Sequence, residues 1–314
     1  MQRSRRGRRR RFTSGKLHIL GYRIDLRRFI PFLFFLTTAV VSIVLLIDYA
    51  VDSAARRREN ETLAAEYAAA FAQNETELLI AQTPEPQTLP TPQPSPGPQL
   101  PASFRRLSGT PSQRITELYQ QNNDLIGWLY IKGVVNLPVV YRDNVYYLDR
   151  NFSGKQDKGG TLFLDEYHPL TEQTQKLVIH GHNMHDSSMF GILSSYNKLP
   201  VVKNHPFAQF STLYEAENYV VFAVLRVNPD QSSKDFFPYV GKPGFSDAEA
   251  FEEYISELRR RSLFDIPVDV EPADALLALS TCIEDDRLVV FYRKMRDGET
   301  QEQLQALVDQ AVDR

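Results

Sequence analysis

Cysteine is almost absent: Cys282 is the only one in 314 residues. A lone thiol in an exported chain forms no internal disulfide, so it is either a small buried hydrophobe or a group kept for chemistry. With no partner cysteine, structural zinc of the paired-thiol kind is poorly served. Acidic residues are just as scarce at the start. From Met1 to Arg28 a dense Arg/Lys run contains one acid, Asp25, although the whole chain has a formal charge of -3. The remainder is therefore distinctly acidic. Charge of either sign is missing from Phe29 to Ile47, FIPFLFFLTTAVVSIVLLI. No internal repeat is evident.

The uncharged run reaches roughly 28 Å as a helix, about one bilayer core. A signal-peptide apolar region is shorter and ends in small residues, whereas Asp48-Tyr49 follows here. A buried core helix would show a polar stripe, and none is present. The run reads as an uncleaved transmembrane anchor. Basic residues outweigh Arg56-Arg57-Arg58 on its N-terminal side, which predicts a cytoplasmic N-terminus and an external bulk. The basic block is then a topology signal that can touch anionic lipid, rather than a nucleic-acid arm.

Composition divides the chain into a basic cytoplasmic tail (1–28), an anchor (29–50), a stalk and linker (51–107) and a folded domain (108–314). Ala54 to Ala81 is rich in Ala, Glu and Arg and predicts a helix with little core-facing stripe. Thr83 to Pro98, TPEPQTLPTPQPSPGP, favours an extended polyproline spacer. Thr110-Pro111-Ser112-Gln113 reads as a capped helix start, running to about Gln121. Short β-like runs follow at Gly127–Ile131, Leu137–Tyr141, Thr161–Leu164, Lys176–His180, Tyr219–Val227, Leu276–Cys282 and Arg287–Arg293. Helices fit Asp247–Arg261, with Ser246 as cap, and Glu299–Val312. Many short strands with a few helices predict a mainly β barrel or sandwich with helical additions. Roughly 200 residues suffice for one core.

Three histidines, His180, His182 and His185, crowd the segment KLVIHGHNMHDSSMF. H-x-H-x-D-H is a zinc signature of metallo-β-lactamase-like hydrolases, but Met184 occupies the aspartate position and only His205 follows. The ligand inventory therefore fails, and no metal or cofactor is expected. His185, beside Asp186 and Ser187, reads as a surface histidine, and His180 as a strand end. His182 follows Gly181, whose backbone freedom can hold an imidazole at a strand end facing a cleft.

LALSTCIEDDRLVVFYR, Leu277 to Arg293, carries the thiol. Two apolar strands flank Ile283 to Asp286, a length that suits a hairpin loop. Pairing across it sets Cys282 opposite Arg287, with Cβ atoms about 4.5–5.5 Å apart. The thiolate is the nucleophilic form of cysteine, and nearby positive charge favours it. Arginine presents a fixed fork of donors to an oxyanion, and an imidazolium can protonate a leaving amine. A plain hairpin with a buried cysteine and a solvated arginine fits the same residues.

Several stretches together resemble the class B sortases. They are NNDLIGWLYIKGVVNLPVVYRDNVYYLDRNFSG (Asn122 to Gly154), GGTLFLDE (Gly159 to Glu166), VIHGHNMHDSSMFGILSSY (Val178 to Tyr196), LSTC (Leu279 to Cys282) and RLVV (Arg287 to Val290). The match covers roughly Ser108 to Met295, in the family's order. It implies a closed eight-stranded β-barrel with N-terminal and peripheral helices, preceded here by one transmembrane helix. Carried over, His182 is the catalytic histidine, Cys282 the nucleophile and Arg287 the transition-state arginine. Ser280 and Thr281 are candidates to line the substrate groove. The resemblance implies a transpeptidase anchored on the outer face of a Gram-positive cell. Its substrates would be surface proteins with a C-terminal sorting signal, often Asn-Pro-x-Thr-like. A thioacyl intermediate would pass to an amine of a peptidoglycan peptide or a pilin. Arg293 and Arg226 compete with Arg287 for the arginine role. A membrane-tethered binding module with a degenerate site and a thiol peptidase are the alternatives. Papain-type peptidases place cysteine before histidine, and here His182 comes first.

Overall fold

The computed structural model describes residues 16–19, 22–80, 113–168, 174–212, 216–241 and 243–314. The proline spacer, the helix start at Thr110 and most of the basic tail lie outside them. The chain divides into two units, Met1–Ala55 and Arg56–Arg314. In the first, a short antiparallel pair, Lys16–Ile19 with Tyr22–Asp25, precedes helix α1. Helix α1 runs Leu26–Ile80 and contains the uncharged run. It is long and apolar enough to cross a membrane, and Phe34 and Phe35 project exposed from it.

The second unit is built on a closed barrel. Its strands are β1 Leu125–Ile131, β2 Val135–Val140, β3 Leu162–Leu164, β4 Lys176–His180, β5 Phe207–Thr212, β6 Ala216–Val227, β7 Leu276–Ile283 and β8 Asp286–Lys294. Hydrogen bonding closes them in the order β7-β8-β6-β5-β1-β2-β3-β4. The pairs β2/β3 and β4/β7 are parallel and the rest antiparallel. Closure removes the open edges that would otherwise expose unpaired backbone groups. It also explains the unbroken apolar runs of β6, β7 and β8. One face of each fills the barrel and the other is covered, so Leu276–Leu279 and Leu288–Tyr292 are all buried.

Helices α2 Gln113–Gln121, α3 Leu199–Asn204, α4 Ala248–Arg261 and α5 Gln301–Val308 surround the barrel. Phe251, Ile255 and Leu258 recur at helical spacing on α4 and face the core. Asp247, not Ser246, caps α4 by accepting from the Ala250 amide, and the Ser246 hydroxyl donates to Asp247. The last helix is shorter than Glu299–Val312: a capping box of Thr300 and Gln303 starts it at Gln301, and Val312–Asp313 pairs instead with Phe264–Asp265. Strand β5 and helix α3 have no counterpart in the sequence reading. On β5 the buried alternates are Ala208, Phe210 and Thr212, so a small and a polar residue hide the two-residue period.

The α1 segment past Arg56 does have a contact face, contrary to the sequence reading. Leu63 is buried in a cluster with Leu118, Tyr119 and Trp128, and Tyr67 stacks on Trp128 at 4.5 Å.

Candidate active site

Strands β7 and β8 form a hairpin whose register pairs Cys282 with Arg287 directly. The ladder continues one step further to Ile283 and Asp286. The expected four-residue loop is therefore a tight turn through Glu284 and Asp285, with Glu284 at φ 52 in the left-handed region. Arg226, on neighbouring β6, donates to Glu284 and Asp286 at 2.6 Å each and braces this turn. Glu284 and Asp286 are thus both engaged by Arg226. Arg287 Nη1 donates to Cys282 Sγ at 3.0 Å. The guanidinium stands where it offsets negative charge on sulfur, with further N–H groups free of that contact. Of the competing arginines, Arg226 is tied to the turn and Arg293 is fully buried against Glu299 and Asp269.

The histidine arrives on the parallel neighbour. Strand β4 pairs with β7 through Ser280 and His180. Two residues beyond each lie Cys282 and His182, so the shared register carries both toward the same end of the sheet. Hydrogen bonds hold the two strand ends together there. The Gly181 amide donates to the Ser280 carbonyl at 3.2 Å, Thr281 Oγ1 to the Gly181 carbonyl at 2.9 Å, and Asn183 Nδ2 to the Cys282 carbonyl at 2.9 Å. His182 Nε2 donates to the Leu148 carbonyl at 2.7 Å, so a backbone group rather than a carboxylate orients the ring.

Gly181 is required for close approach. A Cβ there would lie 2.4 Å from Leu162 and 2.6 Å from Phe190. Gly181→Ala is expected to lower stability by about 1–3 kcal/mol through overpacking. Thermal unfolding measures this, and a wild-type Tm would contradict the reading.

His182, Cys282 and Arg287 share one cleft of about 570 Å³, whose walls also include Tyr239, Ser280 and Thr281. Cys282 is partly exposed there. Ser280 and Thr281 are among its walls, and their hydroxyls are engaged by Tyr239 and Gly181. His185 is exposed. Among the described residues, no three His, Cys, Asp or Glu side chains are grouped to hold a metal.

Sequence reasoning missed the polar support of this cleft. Asp165 accepts from His180 Nε2 at 2.9 Å, His168 Nδ1 at 3.2 Å and Asn144 Nδ2 at 3.1 Å. Burial pushes the Asp165 carboxyl up, but the bonds from His168 and His180 outweigh that and hold it well below the usual carboxylate range. Lys176 is buried behind the wall, and its Nζ donates to the Tyr239 carbonyl at 2.8 Å. Burial pushes this ammonium down to about 7, with Asp165 opposing.

The sign of the Lys176 effect follows from linkage. Below about pH 7 the lysine is protonated in both states, and the folded protein bears the full cost of a buried charge. As pH rises toward about 10.4, the unfolded chain holds the extra proton and stability increases. From pH 7 to 9 this group should add about 2 kcal/mol, and Lys176→Met should flatten that slope. Urea unfolding at pH 7, 8 and 9 checks it. Equal slopes for the two proteins would count against it.

No family model matches the chain. It is 28% identical over 186 residues to Sortase B of Listeria monocytogenes, covering 58% of this chain and 72% of that protein. It is 26% identical over 163 residues to Sortase B of Staphylococcus aureus, covering 51% of this chain and 64% of that relative, just under two thirds of its length. The crystal structure of sortase B from Bacillus anthracis in complex with AAEK2 superposes with a TM-score of 0.54 at 27% identity, covering 60% of this chain and 86% of the other. The closed barrel with its helices is thus the fold of the sortase B structures.

Proposed function

We propose that this chain, a class B sortase by sequence similarity and fold, is a membrane-anchored cysteine transpeptidase acting on sorting signals of secreted proteins. The observation that carries the assignment of residues is the 3.0 Å contact between Arg287 Nη1 and Cys282 Sγ, in a cleft that also contains His182. In this reading the Cys282 thiolate attacks the carbonyl carbon of the scissile peptide bond. The Arg287 fork stabilises the oxyanion of the tetrahedral intermediate. The His182 imidazolium gives its proton to the departing amine, leaving an acyl group as a thioester on Cys282. An incoming amine then attacks the thioester, His182 takes its proton, and the thiolate leaves.

The apolar part of α1 serves as the anchor, with the basic tail inside and residues 108–314 as the catalytic part outside a Gram-positive cell. The supporting observations are the length and composition of the helix and the charge asymmetry around it. The acceptor is a peptidoglycan peptide or a pilin amine. Partial exposure of Cys282 favours this enzyme over a binding module with a degenerate site, in which the sulfur would be sealed away. Incubating the full chain in detergent with Asn-Pro-x-Thr-type peptides and candidate amines, read by mass spectrometry, tests the proposal. Cleavage after threonine with ligation to an amine is expected. Failure to cleave any peptide of the series would refute it.

A further inference from the structure

Outside the cleft, one charge cluster ties α1 to the segment that follows His182. Arg56 is only 4% exposed. Its Nε donates to Asp157 at 2.9 Å and its Nη1 to Asp186 at 2.8 Å, partners 101 and 130 residues away. The guanidinium lies so close over Gly159 that a Cβ there would come 2.3 Å from Arg56 Nε. The next residue, Arg57, donates through Nη2 to the Asp186 carbonyl at 2.8 Å, and one turn along Asn60 Nδ2 lies 3.9 Å from the Met189 sulfur. A buried arginine bridging two carboxylates is a fixed geometric element, because its planar fork sets both partners at once.

Asp186 in turn organises the segment. It accepts from the Ser188 amide at 3.0 Å and the Ser188 hydroxyl at 2.5 Å. The loop then folds back on the histidine. Asn183 and Met189 form a bridge, and the Phe190 amide donates to the His182 carbonyl at 2.9 Å. Two non-glycine residues here, Ser187 and Met189, have φ of 64 and 51, conformations that persist only when the surroundings hold them.

We propose that Arg56 is a positioning residue for acyl transfer: through Asp186 it fixes residues 182–191 and thereby the placement of the His182 imidazole. This rests on the transpeptidase reading of the cleft, and it makes helix α1 a working part of the catalytic unit rather than a passive tether. A small displacement of a catalytic group far from the point of mutation is enough to slow turnover about 100-fold. Uniform loss of substrate binding is not expected, since Arg56 does not line the cleft.

The test uses the full chain with Arg56→Met, Arg56→Lys and Asp186→Asn, the last keeping the shape of the side chain should Arg56→Met misfold. The expected result is a fall in kcat of about 10- to 100-fold with KM within about twofold of wild type. Arg56→Lys should recover part of the loss, and amide hydrogen exchange over 182–191 should accelerate in Arg56→Met and Asp186→Asn. Unchanged kcat in both Arg56→Met and Asp186→Asn overturns the proposal, as does unchanged exchange in that segment. If wild-type protein transfers no acyl group, the transpeptidase reading has failed instead. The exchange data then decide the clamp by themselves: acceleration over 182–191 supports it, and no change overturns it.

Discussion

Cys282→Ala is expected to abolish both cleavage and ligation of a sorting peptide, a loss of about 10,000-fold or more in kcat. The size follows from what the sulfur does. In the proposed mechanism it supplies the bond that splits a difficult amide exchange into two easier acyl transfers, and no other described side chain in the cleft offers an equivalent nucleophile. The hydroxyls of Ser280 and Thr281 are hydrogen-bonded to Tyr239 and Gly181 and are poorer nucleophiles at neutral pH. The fold should survive, because Cys282 sits at the partly exposed end of β7, beyond the tightly packed Leu276–Leu279. Steady-state cleavage rates, with circular dichroism as a control, measure the effect. A Cys282→Ala protein retaining a tenth of the activity would sink the assignment.

The second large effect concerns Arg287. Arg287→Lys keeps a positive charge beside the sulfur but loses the planar fork. One guanidinium nitrogen already contacts Cys282 Sγ at 3.0 Å, and the remaining donors are the ones available to an oxyanion. Lysine is a point charge that serves one of these partners at a time. We expect kcat to fall by about 100-fold in Arg287→Lys, and by about 1,000-fold in Arg287→Ala, where charge is lost as well. KM should change little, because the interaction is strongest in the transition state. Equal activity of Arg287→Lys and wild type would mean that charge alone is needed. Equal activity of Arg287→Ala would remove the arginine from the mechanism.

The hairpin at the heart of these predictions was legible because its two apolar runs flank a short polar break, and pairing the strands across that break sets Cys282 against Arg287. Only the resemblance singles out His182: nothing in the H-x-H-x-x-H spacing separates the three rings, whereas the parallel register of β4 with β7 carries His182 toward the same end of the sheet as Cys282. The ring's partner was invisible because it is the Leu148 carbonyl, and backbone acceptors leave no mark in a sequence. Asp165 was hidden for a related reason, since its value depends on His168 and His180 folding onto it. The α1 contact face escaped notice because its most buried charged member, Arg56, looks like a surface residue until Asp157 and Asp186 arrive from distant parts of the chain.

The central claim is that substrate carbon becomes bonded to one sulfur. Mixing the full chain with a sorting peptide in the absence of acceptor, quenching in acid and weighing the intact protein tests that claim most directly. A mass gain equal to the acyl fragment, mapped by digestion to Cys282 and discharged by added amine, is the result this account predicts. Peptide cleavage with no adduct at Cys282 at any quench time, undiminished when the thiol is alkylated, would contradict it.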